Sequence, residues 1–169
     1  MTQNLYSSSI PVFKQMLEAL RQVLIKTDAH IEQQKIEPQA LLKARLFPDM
    51  LDFSRQIQVA TDFAKSVSAR LAGIEIPKFE DDEKTLDELI IRIDRVLKFI
   101  ATIDEISLSM SGDKEIITQG GTPKEKRFSG HTYLFHYGLP HFFFHITTAY
   151  AILRHNGVPI GKKDFIGTF

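Results

Sequence analysis

At 169 residues, with 43% apolar and 25% charged side chains, the chain is long enough to build one domain around its own core. Its 21 basic and 21 acidic residues cancel, which removes the charge surplus expected of a nucleic-acid binder. With no cysteine, disulfides, thiolate metal sites and cysteine nucleophiles are excluded, and a cytoplasmic location is expected.

The segment Met1 to Ile10 is polar and lacks a basic stretch followed by an apolar one, so no signal peptide is expected. The first helix is predicted from about Ser9 into the thirties. Ser8 or Ser9 supplies a capping oxygen, and Pro11 suits the first turn. Ile10, Phe13, Leu17, Leu20, Leu24 and Ile31 form its apolar stripe, with one turn skipped. Pro38 opens a short turn through Leu42. After Pro48 comes a second helix, in which Met50, Phe53, Ile57, Ala60, Ala64, Val67 and Leu71 alternate steps of three and four, as in a bundle seam. Gly73 stops it.

The acidic run Glu80 to Glu83, in a connection containing Pro77, reads as a solvated loop. Thr85 and Glu88 have capping-box spacing and start a third helix, whose buried face is Leu86, Leu89, Ile93, Val96, Ile100 and Ile103. Next, Lys114 to Thr118 and Lys124 to Phe128 flank Gln119-Gly120-Gly121-Thr122-Pro123, the pattern of a hairpin turning on glycines. The fourth helix begins after Ser129 or Gly130 and ends at Asn156-Gly157, with a kink expected at Pro140. Phe128 to Leu153 contains no Asp, Glu, Lys or Arg. Its densely apolar part, Phe142 to Leu153, is shorter than the roughly 20 residues of a spanning helix, so a buried central helix is expected. In the tail, Phe165 and Ile166 fold back onto the bundle and Lys162 and Lys163 stay exposed.

Chemistry concentrates in the fourth helix. His141 and His145 are four apart and share a face, and Gly138, His141, His145, Thr148 and Ile152 continue a buried seam. Such a pair can ligate one divalent metal, or it can be two core histidines bonded to neighbours. Further ligands would come from the second helix: Asp49 at its start, with Asp52 and Gln56 on adjacent turns. Asp49 in a first helical turn has a simpler explanation, its favourable interaction with the helix dipole. His145 is expected to be buried, with Asp49 and Gln56 as its nearest polar partners. Tyr133, Phe135, Tyr137, Phe142, Phe143 and Phe144 form an aromatic cluster that serves core packing or an apolar ligand. No phosphate loop or nucleophile elbow occurs.

Three stretches carry a resemblance. They are His145-Ile146-Thr147-Thr148-Ala149-Tyr150-Ala151-Ile152-Leu153-Arg154-His155-Asn156-Gly157-Val158, then Leu46-Phe47-Pro48-Asp49-Met50 followed by Gln56, and Gly161-Lys162-Lys163-Asp164-Phe165-Ile166-Gly167. Together they resemble an uncharacterised bacterial family that looks like a branch of the DinB/YfiT-like superfamily. The resemblance covers nearly the whole chain and implies an all-α fold over residues 1–169, a four-helix bundle with a short β-hairpin between helices three and four. It also implies a place for metal on helices two and four, often three histidines, and in some members thiol-transferase or hydrolase activity. Here the matching pair is His141 and His145, whereas no histidine occurs between His30 and His131. The branch that the chain resembles carries asparagine in place of His141.

The expected function is therefore that of a bundle with a degenerate or absent metal site, binding a small ligand or a partner. The alternative is a metal-dependent hydrolase or thiol transferase with zinc or nickel held by His141, His145 and Asp49. In the metal-free case Gln56 and Asp52 are polar core partners. A homodimer is expected, with no nucleic acid and no membrane as partners.

Overall fold

The computed structural model describes residues 4–169, so the reading of the first ten residues lies partly outside it. Four long helical segments form the bundle: α1 (Ile10–Gln34), α3 (Phe53–Ala72), α4 (Leu86–Ile100) and a rod near the C-terminus. The short α2 (Pro38–Leu42) joins the first two. The rod begins as α6 (Gly130–Thr132), passes through a π-helical stretch Tyr133–Gly138 and continues as α7 (Leu139–His155). Helix α3 packs on both α4 and α7, and α1 packs on α4. Phe13 of α1 meets Phe142 of α7 edge to face, ring centroids 4.8 Å apart, which closes the bundle. No helix among the described residues is long and apolar enough to cross a membrane.

The apolar stripes predicted for the first three long helices are buried, apart from Met50, which precedes α3 and is half-buried; of the seam predicted for the fourth, Gly138, His145, Thr148 and Ile152 are buried, whereas His141 is exposed. The skipped turn of α1 holds Thr27, whose buried hydroxyl donates to the Val23 carbonyl at 2.8 Å. Thr85 and Glu88 form the expected capping box. Gly73 ends α3 at φ 74°, the left-handed conformation that glycine adopts without a Cβ clash. The hairpin pairs β1 (Glu115–Thr118) with β2 (Lys126–Ser129), antiparallel, with Glu115 opposite Ser129.

Several boundaries differ from expectation. Ser9 stands at the start of α1 but caps nothing. Its hydroxyl donates backward to the Leu5 carbonyl at 2.5 Å. Helix α3 begins at Phe53, not just after Pro48, because the Asp52 carboxylate accepts from the Arg55 amide at 3.0 Å and fixes the start there. In the hairpin turn, positive φ falls on Gln119 (51°) and Gly121 (74°) rather than on both glycines. A short helix α5 (Glu105–Ser109), capped by Asp104, was not foreseen. Pro140 produces no separate break. The ladder widens into the π-helical stretch that ends just before it, a known way to accommodate a lost amide donor within a helix. The tail folds back as α8 (Lys162–Ile166): Phe165 meets the Tyr150 ring at 5.5 Å, and Gln15 donates to the Ile166 carbonyl at 3.0 Å.

The acidic run is not merely a solvated loop. Arg92 of α4 is buried and collects it. Its Nε donates to Thr61 Oγ1 (2.7 Å), and Nη1 donates to the Glu80 carbonyl (2.9 Å) and to Glu83 (3.0 Å). Nη2 reaches Asp62 (2.9 Å) and Asp81 (3.0 Å). Phe79, just before the run, has Lys65 (4.3 Å) and Arg95 (4.0 Å) close to its ring. Burial acts to raise the Asp81 carboxyl, but the Arg55 hydrogen bond and the Arg92 charge outweigh it and hold its pKa below the ordinary value. A surface pair is worth far less than this network. Arg92→Met should lower the urea-derived stability by about 3 kcal/mol, because it leaves the largely buried Glu83 carboxylate and the buried Thr61 hydroxyl without their cation. Arg21→Met, which breaks the exposed 2.8 Å pair with Asp94, should change it by less than about 1 kcal/mol.

Candidate functional site

Two periodicities meet between α3 and the rod. On α3, Gln56, Phe63 and Arg70 recur every seven residues. On the rod, Tyr133, Tyr137, His141 and His145 recur every four. The two rows run antiparallel and touch in order. Gln56 bonds His145, Phe63 lies against His141 and Tyr137, and Arg70 bonds Tyr133. Gly138 lets the rod come close to α3 between them, since a Cβ there would stand 2.8 Å from Val67 Cγ2.

His145 is buried, and its Nδ1 lies 2.7 Å from Gln56 Oε1. The tautomer follows from what Gln56 does with its other end. Its amide nitrogen donates to the Leu51 carbonyl at 3.1 Å, which leaves Oε1 to accept from Nδ1–H of His145. His141 is exposed, and its Nδ1 donates to the Tyr137 carbonyl at 2.8 Å. Both imidazoles are thereby oriented with Nε2 as the acceptor. No described residue bonds Nε2 of His145, yet among the described residues no buried side-chain nitrogen or oxygen lacks a partner, so this atom is not sealed from solvent. Phe63 stacks on the His141 ring at 4.7 Å and lies nearly parallel to His145 at 6.2 Å, while Phe144 meets His145 edge-on at 5.1 Å. Phe144, Phe47 and Leu51 remain exposed around this region. The site thus offers two lone pairs set in an aromatic wall.

Asp49 is exposed in the turn Phe47–Met50, before α3 rather than in its first turn, so the dipole role expected of it falls to Asp52. Asp52 is buried, but its oxygens serve the Arg55 amide and the cations Lys43 (3.5 Å) and Arg45 (3.7 Å). Among the described residues no three His, Asp or Glu side chains gather around one point. A catalytic zinc site uses three protein ligands, and the two imidazoles alone do not make that set. Phe63 and the carbonyls of Leu51 and Tyr137 were not anticipated. The seven-residue repeat from Gln56 was the signal that could have found Phe63. Backbone carbonyls leave no mark in a sequence.

Burial, with a smaller contribution from His141, pushes the His145 pKa down to about 4. In the unfolded chain it returns to about 6.5. As pH falls between these values the unfolded state takes up the proton first. Stability linked to His145 is therefore intact above about pH 6.5 and lost by about pH 4, amounting to ~3 kcal/mol. In urea titrations the stability of wild type relative to His145→Gln should fall by ~3 kcal/mol between about pH 6.5 and pH 4. Parallel curves would count against the buried neutral imidazole.

With this geometry in place, comparison with known proteins gives three findings. The family model described as "Domain of unknown function (DUF1993)" matches residues 5–166. A solved structure described as a DinB family member protein from Shewanella denitrificans is 38% identical. The match covers 98% of this chain and 93% of that one, with a TM-score of 0.91. No curated protein matches the chain. The chain accordingly belongs to the DUF1993 family and is a DinB-like helical-bundle protein.

Proposed function

We propose that the chain is a binding bundle whose His141–His145 face takes a small aromatic ligand that donates a hydrogen bond. The observation that carries this reading is the fixed tautomer: both Nδ1 atoms are committed to carbonyl oxygens, so both Nε2 atoms are left as acceptors. Phe63, Tyr137 and Phe144 supply ring faces and edges beside them. The low pKa of His145 keeps it a neutral acceptor at physiological pH.

One observation favours a second reading, a metal-dependent hydrolase or transferase. Metal-bound histidines characteristically donate their other ring nitrogen to a carbonyl or carboxylate, and both histidines here do so. His141 and His145 would be two of the ligands, and the remaining positions would have to come from outside the described residues.

The two readings separate in one experiment on protein purified without a histidine tag. Phenol is titrated into 15N-histidine-labelled protein, followed by zinc. Under the first reading phenol shifts both Nε2 resonances saturably, and His141→Ala weakens it by about tenfold, the equivalent of one hydrogen bond. Stoichiometric zinc uptake by both imidazoles, with no response to phenol, would sink the first reading and support the second.

A further inference from the structure

A cleft of about 540 Å³ lies at the far end of the same helix, between the last turns of α3 and the connection Ile76–Glu80. Its walls are unlike in character. Ile76, Pro77 and Phe79 give an apolar side, while Lys65, Arg70 and Lys78 face it with positive charge against Asp62 and Glu80. Most of this charge is already satisfied. Asp62 is held by Lys65 (2.8 Å) and by Arg92 (2.9 Å), and Lys65 also sits over the Phe79 ring. Glu80 is exposed and offers its carbonyl to Arg92.

Lys78 and the Glu80 carboxylate are exposed to solvent and pair with no described residue, so Arg70 is the half-buried charge of the cleft that lacks a counter-ion. Its one hydrogen bond to a described residue runs from Nη1 to the Tyr133 hydroxyl at 2.9 Å, and no described carboxylate pairs with it. A guanidinium has five donors in a rigid fork, so a half-buried arginine bonded only to a neutral phenol keeps most of its capacity. The Tyr133 bond does explain why the side chain is held: the phenol ring is fully buried and its hydroxyl needs a partner. It also fixes one edge of the guanidinium. The cleft that the rest of the side chain lines has an apolar wall formed by Pro77 and Phe79.

The geometry points to a binding site for a small monocarboxylate with an apolar body, its carboxylate forked on Arg70 and its body lying against Pro77 and Phe79. Planar, two-pronged recognition is what a guanidinium gives a carboxylate, and an apolar wall adds affinity only for a ligand that carries carbon. The connection that forms this wall is pinned by Arg92 and by the cations around Phe79, so the cleft is built before any ligand arrives. The site is separate from the histidine face and does not depend on what that face binds.

Benzoate is the probe, added to uniformly 15N-labelled full-length protein. Saturable shifts are expected at the Ser66 and Lys78 amides and at the Arg70 side chain. Arg70→Gln alone could unsettle the fold by stranding the Tyr133 hydroxyl, so the comparison uses Tyr133→Phe and the double variant Arg70→Gln/Tyr133→Phe. Tyr133→Phe keeps the charged fork and should still bind benzoate saturably, though with Arg70 less firmly held, and the double variant should bind at least about tenfold more weakly than Tyr133→Phe, the loss of a charge-assisted pair. No saturable shift, equal binding by the double variant, or inorganic phosphate competing as well as benzoate would each overturn the assignment.

Discussion

The contact between α3 and the rod is the constraint on which the rest of the structure depends. A seven-residue repeat on one helix and a four-residue repeat on the other both return to the same face, so two antiparallel rows stay in register along the interface. Between Gln56 and Arg70 the α3 row runs about 21 Å, at 1.5 Å per residue. Along that length the interface changes from a hydrogen-bonded imidazole, through stacked rings, to a guanidinium on a phenol. Polar groups can be buried at both ends because each has a matched partner. Among the described residues no buried side-chain nitrogen or oxygen is left without one.

The opposite side of α3 is organised by a single cation. Arg92 enters from α4 and binds side chains and carbonyls from α3 and from the connection that follows it. A buried arginine is costly to desolvate and is tolerated only when its donors are nearly all used, which is the case here. The segment before α4 is thereby held against the bundle. Its sequence, with four acids in a row, has the composition of a free loop. The two sides of α3 therefore serve different ends. One packs on the histidines and tyrosines of the rod, and the other fixes the loop that walls the cleft beside Arg70.

The histidine pair shows how far a family pattern carries. The chain belongs to a DinB-like family, and its His141 and His145 lie on the helix where the resemblance implies ligands. The α3 position that faces His145 is Gln56. An amide accepts a hydrogen bond from imidazole and orients it, but it is a weak donor to a metal beside histidine or carboxylate. The nearby carboxylate of Asp52 is spent on the helix N-terminus and two cations. Both histidines are held through Nδ1, which leaves Nε2 free, and among the described residues no carboxylate or third histidine gathers with them.

By itself the sequence determined the helices, their buried faces, the Gly73 stop, the Thr85–Glu88 cap and the position of the hairpin. Each of these follows from local preference or from a period of three to four residues, which any stretch of chain carries within itself. Burial of His145 and its nearness to Gln56 were also within reach, because seam spacing places both on facing helices. Only the tertiary structure decided the rest: that Asp49 stays outside α3 while Asp52 caps it, that Arg92 gathers the acidic run, that Phe63 covers the histidines, and that Arg70 is left with a neutral partner. These outcomes turn on pairings between residues far apart in sequence, where the long-range geometry determines which of several equally suitable polar groups meets which. A linear pattern holds the candidates but not the distances between them.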